Sequence, residues 1–232
     1  MNMLIRTSLV AMAVAAAVDA DAGRPLVTED AGVLAAGECE VESYASRFKS
    51  RGEPKVSGGS LQFGCGVGLG TQVALAATAE RSAGLTDRGV ALVGKTALNA
   101  PQDGAAAYAL AWGLVATRAR GASYKHEDSF INGALTWPLN DALKLHANLG
   151  WSRSQSARQS STGWALAVEH ETTSAWSLLA ETFASDRDRS PWVQLAARWT
   201  VVPERLFLDG SWGLQTSGQR PRQITLGLKA AF

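Results

Sequence analysis

Beyond residue 22 the sequence has no apolar run approaching the ~20 residues that a membrane-spanning helix requires. Its mean hydropathy is −0.03. Such a chain can enter a bilayer only as a closed sheet whose backbone groups satisfy one another. Cysteine is scarce: Cys39 and Cys65 are the whole complement, and a lone pair so spaced offers neither a metal site nor a redox motif. No cofactor is expected. Charge of one sign is also lacking, with 22 Lys and Arg against 21 Asp and Glu. That balance gives no footprint for nucleic acid.

What is present begins with an export segment. Arg6, the apolar stretch Leu9 to Val18 and the small-x-small triplet Ala20, Asp21, Ala22 read as a secretory signal peptide over residues 1–22. Its removal takes away Arg6, Asp19 and Asp21 and leaves 21 basic and 19 acidic residues. Residues 23–37 then form a short leader, periplasmic or lumenal, and residues 38–232 a single β domain.

From Glu38 onward the pattern is two-residue periodicity broken by turn residues, the repeated signature of barrel strands. Twelve strands are predicted, over 38–48, 58–67, 71–81, 89–98, 106–118, 129–138, 142–153, 161–171, 175–185, 191–201, 206–214 and 223–232. The count is even, as in bacterial single-chain barrels, and each span is near the ~9 to 11 residues that cross a bilayer at a tilt. In LKLHANLGW, Leu143, Leu145, Ala147, Leu149 and Trp151 face lipid while Lys144, His146, Asn148 and Gly150 face inward. The expected fold class is therefore all-β, a closed antiparallel transmembrane barrel of the outer-membrane type.

Two asymmetries favour a barrel over a soluble sandwich. Alternate connections are tight (VGLG, WPLND, ETTS, VVPE), whereas the intervening ones are longer and basic: FKSRGEPK, RSAGLTDR, RARGASYKHED, RSQSARQS, SDRDRS and QTSGQRPR. Fifteen of the 22 Lys and Arg residues lie in those six or beside them. Short periplasmic turns opposite longer extracellular loops are the barrel arrangement, and arginine forks on the loop side suit the phosphates of lipopolysaccharide. Tryptophan supplies the other asymmetry. Trp137, Trp176 and Trp199 fall at one end beside Phe232, and Trp151, Trp164 and Trp212 toward the other, as two interfacial girdles. Trp112 lies mid-strand and Trp192 breaks the face assignment.

Strand symmetry also orders the side chains. Cys39 and Cys65 are equidistant from Gly52, share the lipid-facing parity and should form a disulfide. By the same reasoning Lys144 faces Glu169, and Arg198 faces Asp209. Closure brings Lys229 of the last strand near Glu40 or Glu42 of the first. With Lys95, these groups form a charged belt in the periplasmic half of the lumen that either narrows a channel or closes it. Many inward positions are Ala or Gly, which leaves space that a packed barrel would fill. The leader is the alternative filler, its Glu29 and Asp30 meeting Lys95 or Arg198.

The final ITLGLKAAF puts Ile224, Leu226, Leu228, Ala230 and Phe232 on one face. It resembles the C-terminal signal, here carried by Leu226, Leu228 and Phe232, by which outer-membrane barrels are recognised by the barrel assembly machinery. The stretch GRPLVTEDAGVLAAGECEVESYASR, through Arg24, Pro25, Leu26, Thr28, Asp30, Ala31, Gly37, Glu38, Cys39 and Glu42, resembles the start of exported barrels labelled as outer-membrane components of the MetA pathway of phenol degradation. Lys95 and the AET at 180–182 fit its later strands. The resemblance implies a barrel in the outer membrane of a Gram-negative bacterium and transport of aromatic compounds.

An enzyme is not expected. The best nucleophile and base candidates are Ser123, His126 and Asp128 of SYKHED, close in sequence within one loop, whereas such triads are usually assembled from distant segments. His146 points inward without an obvious partner and His170 sits at an interface. The functional expectation is passive passage of small, aromatic or hydrophobic solutes. A closed barrel whose Arg-rich loops bind lipopolysaccharide or a surface partner is the alternative, with a lipid-modifying enzyme as a lesser one.

Overall fold

The computed structural model describes residues 26–188 and 190–232. The signal-peptide assignment, Arg24 and Pro25 lie outside the described residues. Twelve strands follow one another along the chain: β1 (Cys39–Lys49), β2 (Val56–Gly68), β3 (Thr71–Ser82), β4 (Leu85–Ala97), β5 (Ala107–Arg118), β6 (Lys125–Asn140), β7 (Leu143–Ser154), β8 (Gln159–Thr173), β9 (Trp176–Ser185), β10 (Trp192–Val202), β11 (Leu206–Gln215) and β12 (Arg222–Ala231). Each pairs antiparallel with its sequence neighbours, and β1 pairs with β12 to close a barrel with no free edge. Closed pairing of this kind removes the exposed strand edge that would otherwise recruit other chains.

Side-chain size is inverted relative to a soluble domain. Large apolar residues such as Leu61, Leu75, Leu114, Leu149, Leu195 and Leu226 are exposed on the outer face, while Ala74, Ala76, Ala109, Ala111, Ala134, Ala165, Ala167 and Ala196 are buried inside. An outer face of that kind is stable against acyl chains and not against water. At one rim Trp176 and Trp199 stack with ring centroids 5.9 Å apart. The mid-strand Trp112 stands opposite Gly94, and a Cβ on Gly94 would strike its ring. The indole thus covers the gap that the glycine leaves on the outer face.

The basic connections differ from expectation in form. RSAGLTDR is mostly strand: β3 and β4 run on to a turn at Ala83 and Gly84, both with positive φ (49° and 82°), as a two-residue hairpin turn with right-handed strand twist requires. Likewise β6 starts at Lys125 rather than near 129. Polar alternation beyond the lipid belt carries no hydrophobic period, so the extensions escape a pattern search. Extension of β6 also takes SYKHED apart as a candidate triad. The His126 Nε2 lies 2.9 Å from Ser129 Oγ and 3.0 Å from the Asp128 carbonyl oxygen, and Ser123 stays exposed before the strand.

Cys39 and Cys65 are directly opposed in the β1–β2 ladder and joined by a disulfide. Cys39 also exchanges both backbone hydrogen bonds with Phe232, at 2.9 Å each. One residue therefore carries a covalent tie to β2 and the last rung of the closing seam. The Phe232 ring lies 6.3 Å from that of Phe63 on the outward face at the same end of the barrel.

Candidate functional site

The lumen is occupied by the chain's own leader. Residues 26–37 form a strap that leaves the wall at Gly37, whose amide donates to the Gly66 carbonyl at 3.0 Å. Gly66 is the reason the strap can lie so close: a Cβ there would collide with the Ala35 carbonyl and stand 2.5 Å from that of Leu34. From this anchor the strap crosses the interior by giving its backbone amides to wall side chains. Leu34 N donates to Gln72 Oε1 (2.9 Å), Ala31 N to Thr136 Oγ1 (2.9 Å) and Glu29 N to Asn148 Oδ1 (2.6 Å). Asn148 returns a bond from Nδ2 to the Glu29 carbonyl at 2.9 Å.

Glu181 makes the densest contact. Its carboxylate accepts from Val27 N (2.9 Å), Thr28 N (2.8 Å), Thr28 Oγ1 (2.7 Å) and Gln194 Nε2 (2.8 Å). Thr28 is 1% exposed. Leu26 packs on Ala167, Leu179 and Ala196, and Ala31 on Ala109 and Ala134. The Ala-lined wall thus leaves room that the strap fills. Polar bonds hold most of its length, and apolar burial is confined to two side chains.

Ion pairing divides the expected belt into separate groups. Lys229 Nζ sits 2.6 Å from Glu40 and 3.1 Å from Glu42, bridging the seam between β12 and β1. Lys95 meets the strap, at 2.8 Å from Glu29 and 3.3 Å from Asp30. Lys144 stands opposite Glu169 in the ladder, but its ammonium pairs with Glu171 at 2.7 Å near the rim. Glu169 turns instead to His146 Nε2 at 3.5 Å and Arg198 at 3.8 Å. His146, read as lacking a partner, has this one and also Thr136 Oγ1 at 2.9 Å from its Nδ1. Both exchanges of partner have one cause. Register fixes which Cα atoms are opposed, whereas a Lys or Glu side chain reaches the next residue on the same face. Arg198 and Asp209 are opposed in the β10–β11 ladder.

In the strap, burial pushes the Glu29 carboxyl up to about 7, against the pull of Lys95. Burial also opposes ionisation of Asp30, but Lys95, Lys229 and the Gly32 amide together hold it below its ordinary range. Two carboxyls flank one ammonium, and of the two Glu29 takes up a proton the more readily.

At the outer end Trp192 points inward, which explains its off-face position. Its ring lies 6.0 Å from Phe183, parallel to within 1°, and 6.0 Å from Phe48 on β1. This aromatic group, together with Glu181, Gln194, Asn148, Thr136 and Gln72, was not identified as functional from sequence. The only signal was parity: all lie on inward positions of strands whose faces are readable. Among the described residues, no group of three or more His, Cys, Asp or Glu side chains could hold a metal ion.

Solved structures share the fold. An outer-membrane channel from Pseudomonas putida F1 superposes with a TM-score of 0.60 at 11% identity, covering 88% of this chain and 98% of the other. The KdgM porin in complex with disordered oligogalacturonate gives 0.57 at 8% identity, with 83% and 99% covered. The β domain of the Bordetella autotransporter BrkA gives 0.54 at 15%, with 85% and 100% covered. No curated protein matches the chain. The chain matches over residues 9–232, and so belongs to, the family described as uncharacterised conserved protein UCP029691.

Proposed function

We propose that the protein is a passive outer-membrane channel for small solutes, kept shut by its N-terminal strap. The observation that carries this reading is the division of labour inside the barrel. The wall is built of Ala and Gly facing a lumen, and the filling comes from a separate segment held by hydrogen bonds to wall side chains. Twelve strands enclose more interior than the eight whose side chains fill it. The fold shared with porins and channels supports the same reading, as does the resemblance to MetA-pathway barrels, which would make aromatic compounds the solutes. Export through a signal peptide and insertion by the barrel assembly machinery follow from the location.

Single-channel recording of the mature protein in a planar bilayer tests it. The wild type is expected to be mostly closed, with rare openings. Substituting Gly66→Leu drives a side chain into the strap carbonyls and should raise the open fraction. A correctly folded barrel that stays silent in both forms would refute the channel.

A second reading concerns the outer rim. Arg88 stands directly opposite Arg118, and Lys49 opposite Arg222, all on the outward parity and beyond the apolar outward stretch of their strands. Like charges so placed repel, and a phosphate bridging them would offset the cost. We infer lipopolysaccharide phosphates as the partner of this rim. Its test is whether the paired substitutions Arg88→Ala and Arg118→Ala weaken lipopolysaccharide binding by the refolded barrel.

A further inference from the structure

Resting on the channel reading, we infer that Lys95 is the anion-binding site of the open lumen, and that the strap occupies it as an internal substitute for a small carboxylate solute. The interior ion groups differ in where their partners lie. Lys229 has wall partners in Glu40 and Glu42. Arg198 and His146 share Glu169, and Lys144 has Glu171. None of these partners belongs to the strap. Lys95 differs: the carboxylates within ion-pair distance of its ammonium are Glu29 and Asp30, both on the strap, and it also donates to the Asp30 carbonyl at 3.2 Å. Glu40 feels the Lys95 charge, but its own ion partner is Lys229.

Withdrawal of the strap leaves the Lys95 ammonium facing the lumen with no carboxylate at ion-pair distance, a fixed charge that attracts an anion of the same chemistry. The wall next to it defines the rest of the ligand. Glu181 receives the amides of Val27 and Thr28, which immediately precede the carboxylate of Glu29 in the strap. The wall therefore presents a cation and, across the span that Thr28 and the Glu29 side chain fill, a hydrogen-bond-accepting carboxylate. Solutes that carry a carboxylate and N–H donors at that separation, short acidic peptides, match both poles.

The test uses the full-length refolded chain in detergent and needs no transport. Replacing Glu29→Ala and Asp30→Ala empties the site while leaving the barrel wall intact. Acetate, added at constant ionic strength against chloride, should raise the thermal midpoint of this double variant, with acetamide inactive and the dipeptide threonyl-glutamate effective at lower concentration. The thermal midpoint should not rise in the wild type, whose strap already fills the site, nor in the double variant carrying Lys95→Met. Should the double variant fail to fold, the wild type gives the second measurement: acetate should compete with the strap and speed amide exchange at Val27 and Thr28, an effect that Lys95→Met abolishes. Equal effects of acetate and acetamide, or an undiminished effect with Lys95→Met, would overturn the site. A barrel that binds acetate through Lys95 yet never conducts would refute the channel alone.

Discussion

Glu181 offers the sharpest perturbation of the strap, because one carboxylate holds three of its donors. Substituting Glu181→Ala removes the acceptor for Val27 N, Thr28 N and Thr28 Oγ1 together. Hydrogen bonds to a charged group contribute roughly 1.5 to 3 kcal/mol each. Simple addition overstates the loss, because a released strap regains water; about 3 to 6 kcal/mol is expected. At about 1.4 kcal/mol per factor of ten, docking weakens roughly 10² to 10⁴-fold. Glu181→Gln keeps the shape and one acceptor oxygen, and gives up mainly the charge assistance that makes such bonds about twice as strong as neutral ones. Its cost should be about half. Amide hydrogen exchange at Val27, Thr28, Glu29 and Ala31 reads the effect, with strand amides of β9 as an internal reference for the fold. Strap protection should fall in the order wild type, Gln, Ala while β9 is unchanged. Unaltered strap exchange in Glu181→Ala would refute the view that these bonds hold the strap. Equal losses for strap and β9 would show that Glu181 supports the wall instead.

Other outcomes follow from the same geometry. Replacing Cys39 and Cys65 by Ser opens a 26-residue separation in sequence, for which chain entropy gives about 3 to 4 kcal/mol; the urea midpoint of the refolded barrel should fall accordingly and reduction of the wild type should reproduce it. The raised pKa of Glu29, about 7 in the docked strap against 4.5 ordinarily, means that the docked form binds the extra proton. Its contribution to docking is complete below pH 4.5 and is lost as pH rises through 7, up to about 3 kcal/mol at most. Burial sets it, opposed by Lys95 and reinforced by Asp30 and Glu42. Strap exchange should quicken beyond its intrinsic pH dependence between pH 5 and 8, and Glu29→Gln should remove that excess. Phe232→Ala keeps the backbone pair with Cys39 but removes the ring beside Phe63, so insertion into outer-membrane vesicles by the assembly machinery should drop several-fold while spontaneous refolding in detergent changes less.

The wall of the barrel was legible because its two faces demand different things of alternate residues. Leu143 to Trp151 states its outward side plainly, and the equal spacing of Cys39 and Cys65 about Gly52 gave the β1–β2 register that the structure has. The seam contact of Lys229 with Glu40 and Glu42 was readable for the same reason, once closure was assumed. What escaped was set by reach and by backbone. Lys144 chose Glu171 over the opposed Glu169 because a long side chain is not confined to its own rung. The strap's hold on Glu181, Asn148, Thr136 and Gln72 runs through its amides, and a backbone N–H has no letter in the sequence. Trp192 announced itself only as an exception to parity.

That exception has a mechanical side. Phe48 on β1 and Trp192 on β10 are separated by β11 and β12 around the circumference, so their contact is a chord across the tube and not a link along its wall. A thin cylinder held only by its own skin flattens easily under lateral load. With one brace of aromatic rings near the outer mouth and a strap fastened to eight different strands below it, the cross-section here is fixed at two heights. Squeezing by the surrounding bilayer is therefore resisted by the contents of the tube, and loosening those contents should make the barrel softer as well as wider.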